Sequence, residues 1–233
     1  MSYKKMVFCV LFLSFFSSVG FAEESNPFPV WIAIRDTSEV SIFSEKLKHV
    51  AEPLTSNVLD TSTLKEDLIK EILDELKQDT SVQVKVIPHQ DLEKFSSRSE
   101  DIAHIFKRPV YDFDILQQNF GHHGVILELL ITEKGFDYQG VQKEGEVRVI
   151  VDVIGRLLLL NKKKIEGHAF FENASFDRTR PLSEFLNNNG ERAQEELNYE
   201  VPLLAKEIKK YYLKRIVLRK AKEWNSLQDQ HKQ

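Results

Sequence analysis

Apolar and polar residues fall into two clear periods along this chain. Val82, Val84 and Val86 alternate with Gln83 and Lys85, which predicts a strand over 81–87 stopped by Pro88. Val147, Val149, Val151 and Val153 alternate with Arg148, Ile150 and Asp152, and the pattern runs on through Leu157 to Leu160. Asn161–Lys164 then reads as a polar turn, with Ile165–Phe171 returning as the partner of a long hairpin. Val30–Ile34 and Val125–Ile131 are unbroken apolar runs of strand length, as expected of strands buried on both faces. Gly135 to Gly140 allows either a turn or a continued meander.

The helical period is equally plain. Leu64, Leu68, Ile69, Ile72, Leu73 and Leu76 recur three or four apart, behind the capping residues Asp60–Thr63, predicting an amphipathic helix over 63–78. Val201, Leu204, Ala205, Ile208, Tyr211 and Tyr212 form a second stripe, continued by Ile216, Val217 and Trp224. Pro202 fits a first turn or a kink there, because proline removes a helical donor. Between these, Ser44–Val50 admits a short helix, His89–Lys94 a helical turn, and Ser96–Ser99 a loop. Asp101–Phe106 reads as a brief helix, 112–120 as another closed by Gly121, and Pro181–Gly190 as a loop with a helical turn.

The expected fold is therefore α+β with two layers. A mixed sheet of about four or five strands, including the long hairpin, is covered by the 63–78 helix and a long C-terminal helix. The domain plan is a leader at 1–22, a flexible lead-in at 23–29, one domain over 30–213 and a basic helical extension over 214–233.

The leader changes the picture most. Lys4 and Lys5 precede an apolar run from Met6 to Phe16, followed by the small residues Ser17, Ser18, Gly20 and Ala22. That is a signal-peptide layout with cleavage expected after Ala22, and the run is shorter than the about 20 residues of a membrane span. Cleavage would remove Cys9, the single cysteine, so the exported chain must hold together by its core rather than by disulfides. Absence of cysteine points to a bacterial periplasm, and Cys9 lies too deep in the apolar run to serve as a lipid-anchored start. Asn173-Ala174-Ser175 is read as a chance sequon.

The whole chain carries −4, and loss of the two leader lysines leaves −6. Residues 203–233 hold nine Lys/Arg against Glu207, Glu223 and Asp229, so 23–202 is strongly acidic. The basic segment reads as a solvated helix face or as a contact surface. Lys214, Arg215, Arg219, Lys220 and Trp224, with Lys162, Lys163 and Lys164 at the hairpin turn, are the candidate partner-binding residues, for an envelope protein or an anionic membrane surface. Nucleic acid is a poor partner for an exported acidic protein.

Catalytic chemistry is not legible. There is no G-x-S-x-G elbow, no H-E-x-x-H helix and no Gly-rich phosphate loop, and the exported chain has no thiol nucleophile. The expectation is no enzyme and no cofactor. His122 and His123, with Asp114, are the residues of an alternative small-ligand or metal site. Adjacent histidines point to opposite sides, however, which makes a shared metal difficult. Asp112 and Asp114 fit a helix start better than a pair of catalytic carboxylates.

Three stretches carry a family resemblance. They are Val30–Ile34 with the capped helix and Val82–Ile87; Asn119-Phe120-Gly121-His122-His123-Gly124-Val125-Ile126-Leu127; and the hairpin 146–171 followed by a long helix. Together, over about residues 28–215, this order resembles the α/β domain shared by the TolB amino-terminal domain, the curli secretion protein CsgG and the penicillin-binding-protein activator LpoB. The resemblance implies a binding and assembly module without catalytic residues. The expected role is thus an exported accessory or scaffold protein of the bacterial envelope, in secretion, flagellar or cell-wall assembly, docking through a sheet edge, the 161–164 turn or the C-terminal helix.

Overall fold

The computed structural model describes residues 27–36, 40–43, 59–77, 82–102, 106–137, 146–172 and 178–230. The leader, residues 23–26 of the lead-in, the helix read over 44–50, and Asn173-Ala174-Ser175 lie outside them.

The chain order is β1 (Phe28–Asp36), β2 (Val40–Phe43), α1 (Leu64–Leu76), β3 (Val82–Val86), α2 (His89–Glu93), β4 (Ser96–Ile102), β5 (Phe106–Tyr111), α3 (Phe113–Phe120), β6 (Val125–Asp137), β7 (Glu146–Leu159), β8 (Lys164–Glu172), β9 (Arg180–Pro181), α4 (Leu182–Leu186) and α5 (Glu191–Gln230). The main sheet is ordered β3-β1-β6-β7-β8, with β2 added on β6 and β9 on β7. β1 runs parallel to β3 and β6, while β6, β7 and β8 are antiparallel, so the sheet is mixed as expected.

Both faces of the central strands are covered, which explains their continuous apolar runs. Val30, Ile32 and Ile34 face α1 and α5, together with Val125, Leu127, Leu129 and Ile131. Trp31, Ala33 and Ile126 point the other way, onto Leu92, Tyr111 and Leu116 of α2, β5 and α3. Helix α1 buries Leu64, Leu68, Ile72 and Leu76, four residues apart, and each is at most 2 % exposed. Each such leucine or isoleucine contributes about 1.5–3 kcal/mol of burial. On the opposite face Asp112 caps α3 by accepting from the amides of Asp114 and Ile115.

Helix α5 lies close on the sheet because of one missing side chain. A Cβ on Gly155 of β7 would sit 2.4 Å from the Tyr212 hydroxyl. Without it, the buried Tyr212 ring settles over the strand, and its hydroxyl donates to the Gly167 carbonyl at 2.8 Å. The β7–β8 register shifts between Gly155 and Leu157, and Gly167 adopts φ 66°, where glycine is at ease.

Two sequence expectations are corrected, and two open ones are narrowed. Ser96–Ser99 is not a loop, and of the helix read over Asp101–Phe106 the described residues 101, 102 and 106 are strand: β4 and β5 pair antiparallel as a separate two-stranded sheet. Of the two courses left open from Gly135, β6 takes the continued one as far as Asp137, paired with both β2 and β7. The C-terminal helix starts at Glu191, so of the two places read for Pro202, a first turn or a kink, the first turn is excluded and the proline lies in the helix interior. Its packing also continues past residue 213, since Ile216 is fully buried in the main core.

Candidate contact surface

The hairpin turn and the Arg215–Arg219 turn of α5 come together in space. Lys162, Lys163 and Lys164 are all exposed at the tip, with Lys163 in the left-handed region at φ 49°. Lys164 pairs with Glu166 at 2.5 Å, and Arg219 of α5 reaches the same carboxylate. The hydrogen bond from Lys164, with that from Arg219, holds the Glu166 carboxyl below its usual range against a smaller opposing effect of burial. Lys163 extends the other way, pairing with Asp114 at the start of α3. One β-turn therefore ties α3, β8 and α5 by ion pairs.

Arg215 is held flat over the Tyr211 ring, 3.5 Å from its centroid, and donates to the Tyr211 carbonyl at 3.1 Å. Lys214 is exposed and Lys220 half-buried, while Val217 and Leu218 expose 43 % and 52 % of their surface. The surface thus mixes outward cations with two uncovered aliphatic residues on one helix. Trp224 lies on the helical backbone of α5, and its side chain is outside the described residues.

The alternative ligand site does not assemble. Asp114 is in the first turn of α3, whereas His122 and His123 follow its last turn, so about 12 Å of helix separates them. Asp114 is engaged by Lys163, and both histidines are exposed. Among the described residues no group of three or more His, Cys, Asp or Glu is placed to hold a metal ion.

Sequence reasoning missed a buried charge cluster on the sheet face beneath the β4–β5 hairpin. Glu128 of β6 and Arg156 of β7 are register partners and form an ion pair, both almost fully buried. The Tyr111 hydroxyl donates to Glu128 Oε1 at 2.6 Å, His89 Nε2 lies 3.1 Å from the same oxygen, and Arg156 Nη2 donates to the Pro109 carbonyl at 2.6 Å. Burial pushes the Glu128 carboxyl up. The bond with His89, the Arg156 charge and the Tyr111 bond together outweigh it and hold the group at about 2. Burial, then the neighbouring carboxylate, pushes the Tyr111 phenol far up. Both Glu128 oxygens are spent within the cluster, which suits it to clamping β5 and α2 onto the sheet. The signal for it was present in the sequence: a lone glutamate and a lone arginine, each inside an apolar strand.

A second cluster occupies the far end of the same face. Arg148 Nη2 bonds Asp137 at 2.9 Å and Glu172 at 2.5 Å, beside Asp152 and Glu133. Burial, then Glu172 and Glu133, pushes the Asp152 carboxyl up to about 7, and its buried Oδ1 has no hydrogen-bond partner. On the opposite layer a cleft of about 220 Å³ opens between α1 and α5, lined by Leu64, Asp67, Glu71, Leu197, Asn198 and Pro202 among others.

No family model matches the chain, and no curated protein matches it. Solved structures resemble parts of its architecture at low identity. The hypothetical protein CT253 from Chlamydia trachomatis aligns with TM-score 0.42 and 11 % identity, over 83 % of this chain and 98 % of that one. The lipoprotein GNA1162 from Neisseria meningitidis aligns with TM-score 0.32 and 13 % identity, over 64 % and 85 %. The DUF330 protein XCC0632 from Xanthomonas campestris aligns with TM-score 0.39 and 10 % identity, over 79 % and 85 %. At these scores the likenesses assign neither a family nor a function.

Proposed function

We propose that this chain is an exported accessory protein of the bacterial cell envelope that works by docking onto an acidic envelope protein, without turnover. The observation carrying this reading is the meeting of the 161–164 turn and the Arg219 turn of α5 around Glu166, with exposed Lys162 at the turn and exposed Lys214, Val217 and Leu218 on the helix. Cations around an apolar centre give both steering and burial to a contact with an acidic partner. The leader pattern and the absence of cysteine from the exported chain support the compartment. The resemblance of the element order in the sequence to that of the TolB, CsgG and LpoB domains is in keeping with an assembly role.

The test is mild crosslinking of the exported chain in envelope extract. A specific product should form with the native chain, fade in Lys162→Glu/Lys214→Glu, and persist in Lys70→Glu/Lys85→Glu, which changes the same charge elsewhere. Equal capture by both variants would overturn the reading. Binding of the native chain to anionic vesicles, with no protein product, would replace the protein partner by a membrane surface.

A further inference from the structure

The outer rim of β8 is the end of the sheet, and among the described residues no strand pairs with it there. Its middle is nevertheless closed. The carbonyls of Gly167 and His168 accept hydrogen bonds from the Tyr212 and Tyr211 hydroxyls of α5. What remains is Ala169–Glu172, where Phe170 exposes 57 % of its surface and the Glu172 side chain is more than a third exposed.

Two rows of side chains cross the sheet and end at this rim. Glu133, Asp152 and Glu172 are direct register partners across β6, β7 and β8. The neighbouring row on the same face is Leu130, Ile154 and Phe170. Directly opposed like charges destabilise a sheet, and opposed unlike charges or apolar pairs stabilise it. The acidic row, with Asp137 beside it, is met by one described cation, Arg148, which bonds Asp137 and Glu172. Asp152 keeps a buried oxygen without a partner and is 6 % exposed. Among the described residues Arg148 alone faces four carboxylates, so one row keeps an excess of negative charge that reaches Glu172 at the rim, and the other lacks an apolar cover.

We propose that Ala169–Glu172 receives an extended segment of a partner protein as an added antiparallel strand. Its Lys or Arg stands opposite Glu172, and two residues later its apolar residue stands opposite Phe170. Main-chain bonds supply affinity in this mode, and alternate side chains supply specificity. A second copy fits less well, because its own Ala169–Glu172 carries no Lys or Arg to stand opposite Glu172. The inference extends the proposed contact function to a second surface and rests on it only in taking a protein segment as the occupant.

The experiment is fluorescence anisotropy of the exported chain with a labelled peptide, Thr-Val-Thr-Lys-Thr-Phe-Thr-Thr, and its twin carrying Glu for Lys. The Lys peptide should bind saturably and the Glu peptide several-fold more weakly. Glu172→Lys should invert that preference, with a change of about fivefold to tenfold for each peptide. Should Glu172→Lys fail to fold, Glu172→Gln should abolish the preference, and Phe170→Ser should weaken both peptides. Val86→Ser, on the opposite edge strand β3, should change nothing. Binding of the Lys peptide should tighten between pH 6 and 8, where Asp152 gains its charge among Glu133, Asp137, Glu172 and Arg148, and Asp152→Asn should remove that trend. No saturable binding, equal affinity for the two peptides in the native chain, or a dimer of the chain lost in Phe170→Ser would overturn the proposal. The assay contains no envelope extract, so its failure leaves the crosslinking result standing.

Discussion

At the scale of single residues, the clamp at Glu128 makes the sharpest demand. The carboxylate takes three bonds in a dry site, so removing one partner leaves a buried charge behind. Arg156→Leu should cost about 3–5 kcal/mol in urea unfolding. Tyr111→Phe, which deletes a single bond to a charged acceptor, should cost about 1.5–3 kcal/mol. The double variant Glu128→Leu/Arg156→Leu should recover part of the Arg156→Leu loss, since no charge is then stranded. If the double variant is less stable than Arg156→Leu alone, the clamp reading fails.

At the scale of elements, α5 carries its own flaw. Pro202 has no amide to donate and lies in the helix interior at an exposed position. A proline there costs about 3 kcal/mol relative to alanine in an exposed helix. Pro202→Ala should therefore raise the midpoint of thermal unfolding, by an amount equivalent to about 1–3 kcal/mol after local adjustment. This residue also shows where sequence reading stops. A first turn was one of the two places local chemistry allowed Pro202, the other being a kink, but α5 starts at Glu191, because Ala193, Leu197 and Val201 join the core below it. Tertiary burial overrode the local breaker. The same holds at Ser96–Tyr111, where no alternating pattern marks a hairpin and Pro109 argues against a strand. Pairing with each other and the bonds from Arg156 and Tyr111 hold those residues as strands. α1, β6 and β7 were legible because burial of their apolar residues decides them, and β3 and β8 by their alternation or by the turn that precedes them. The basic residues of the contact surface were legible as charge, whereas their meeting at Glu166 depends on where α5 crosses the hairpin, which no local pattern records.

At the scale of the whole molecule, two buried acids set opposite pH limits. Glu128 is held at about 2 in the fold against 4.5 unfolded, so its contribution is full above about 4.5 and is lost as pH falls toward 2. Asp152 is raised to about 7 from 3.8, so its contribution is full below about 4 and is lost as pH rises through 7. Stability should therefore peak between these limits, with an alkaline fall on the order of 3 kcal/mol between pH 5 and 8. Denaturant titrations across that range should find the fall in the native chain and a much flatter profile in Asp152→Asn. An equal fall in both would place the alkaline limit elsewhere. The seat of Tyr212 against Gly155 reaches beyond this one molecule. Among homologues, the two positions must change together: a bulkier residue at 155 requires a smaller one at 212, or a helix lifted off the sheet.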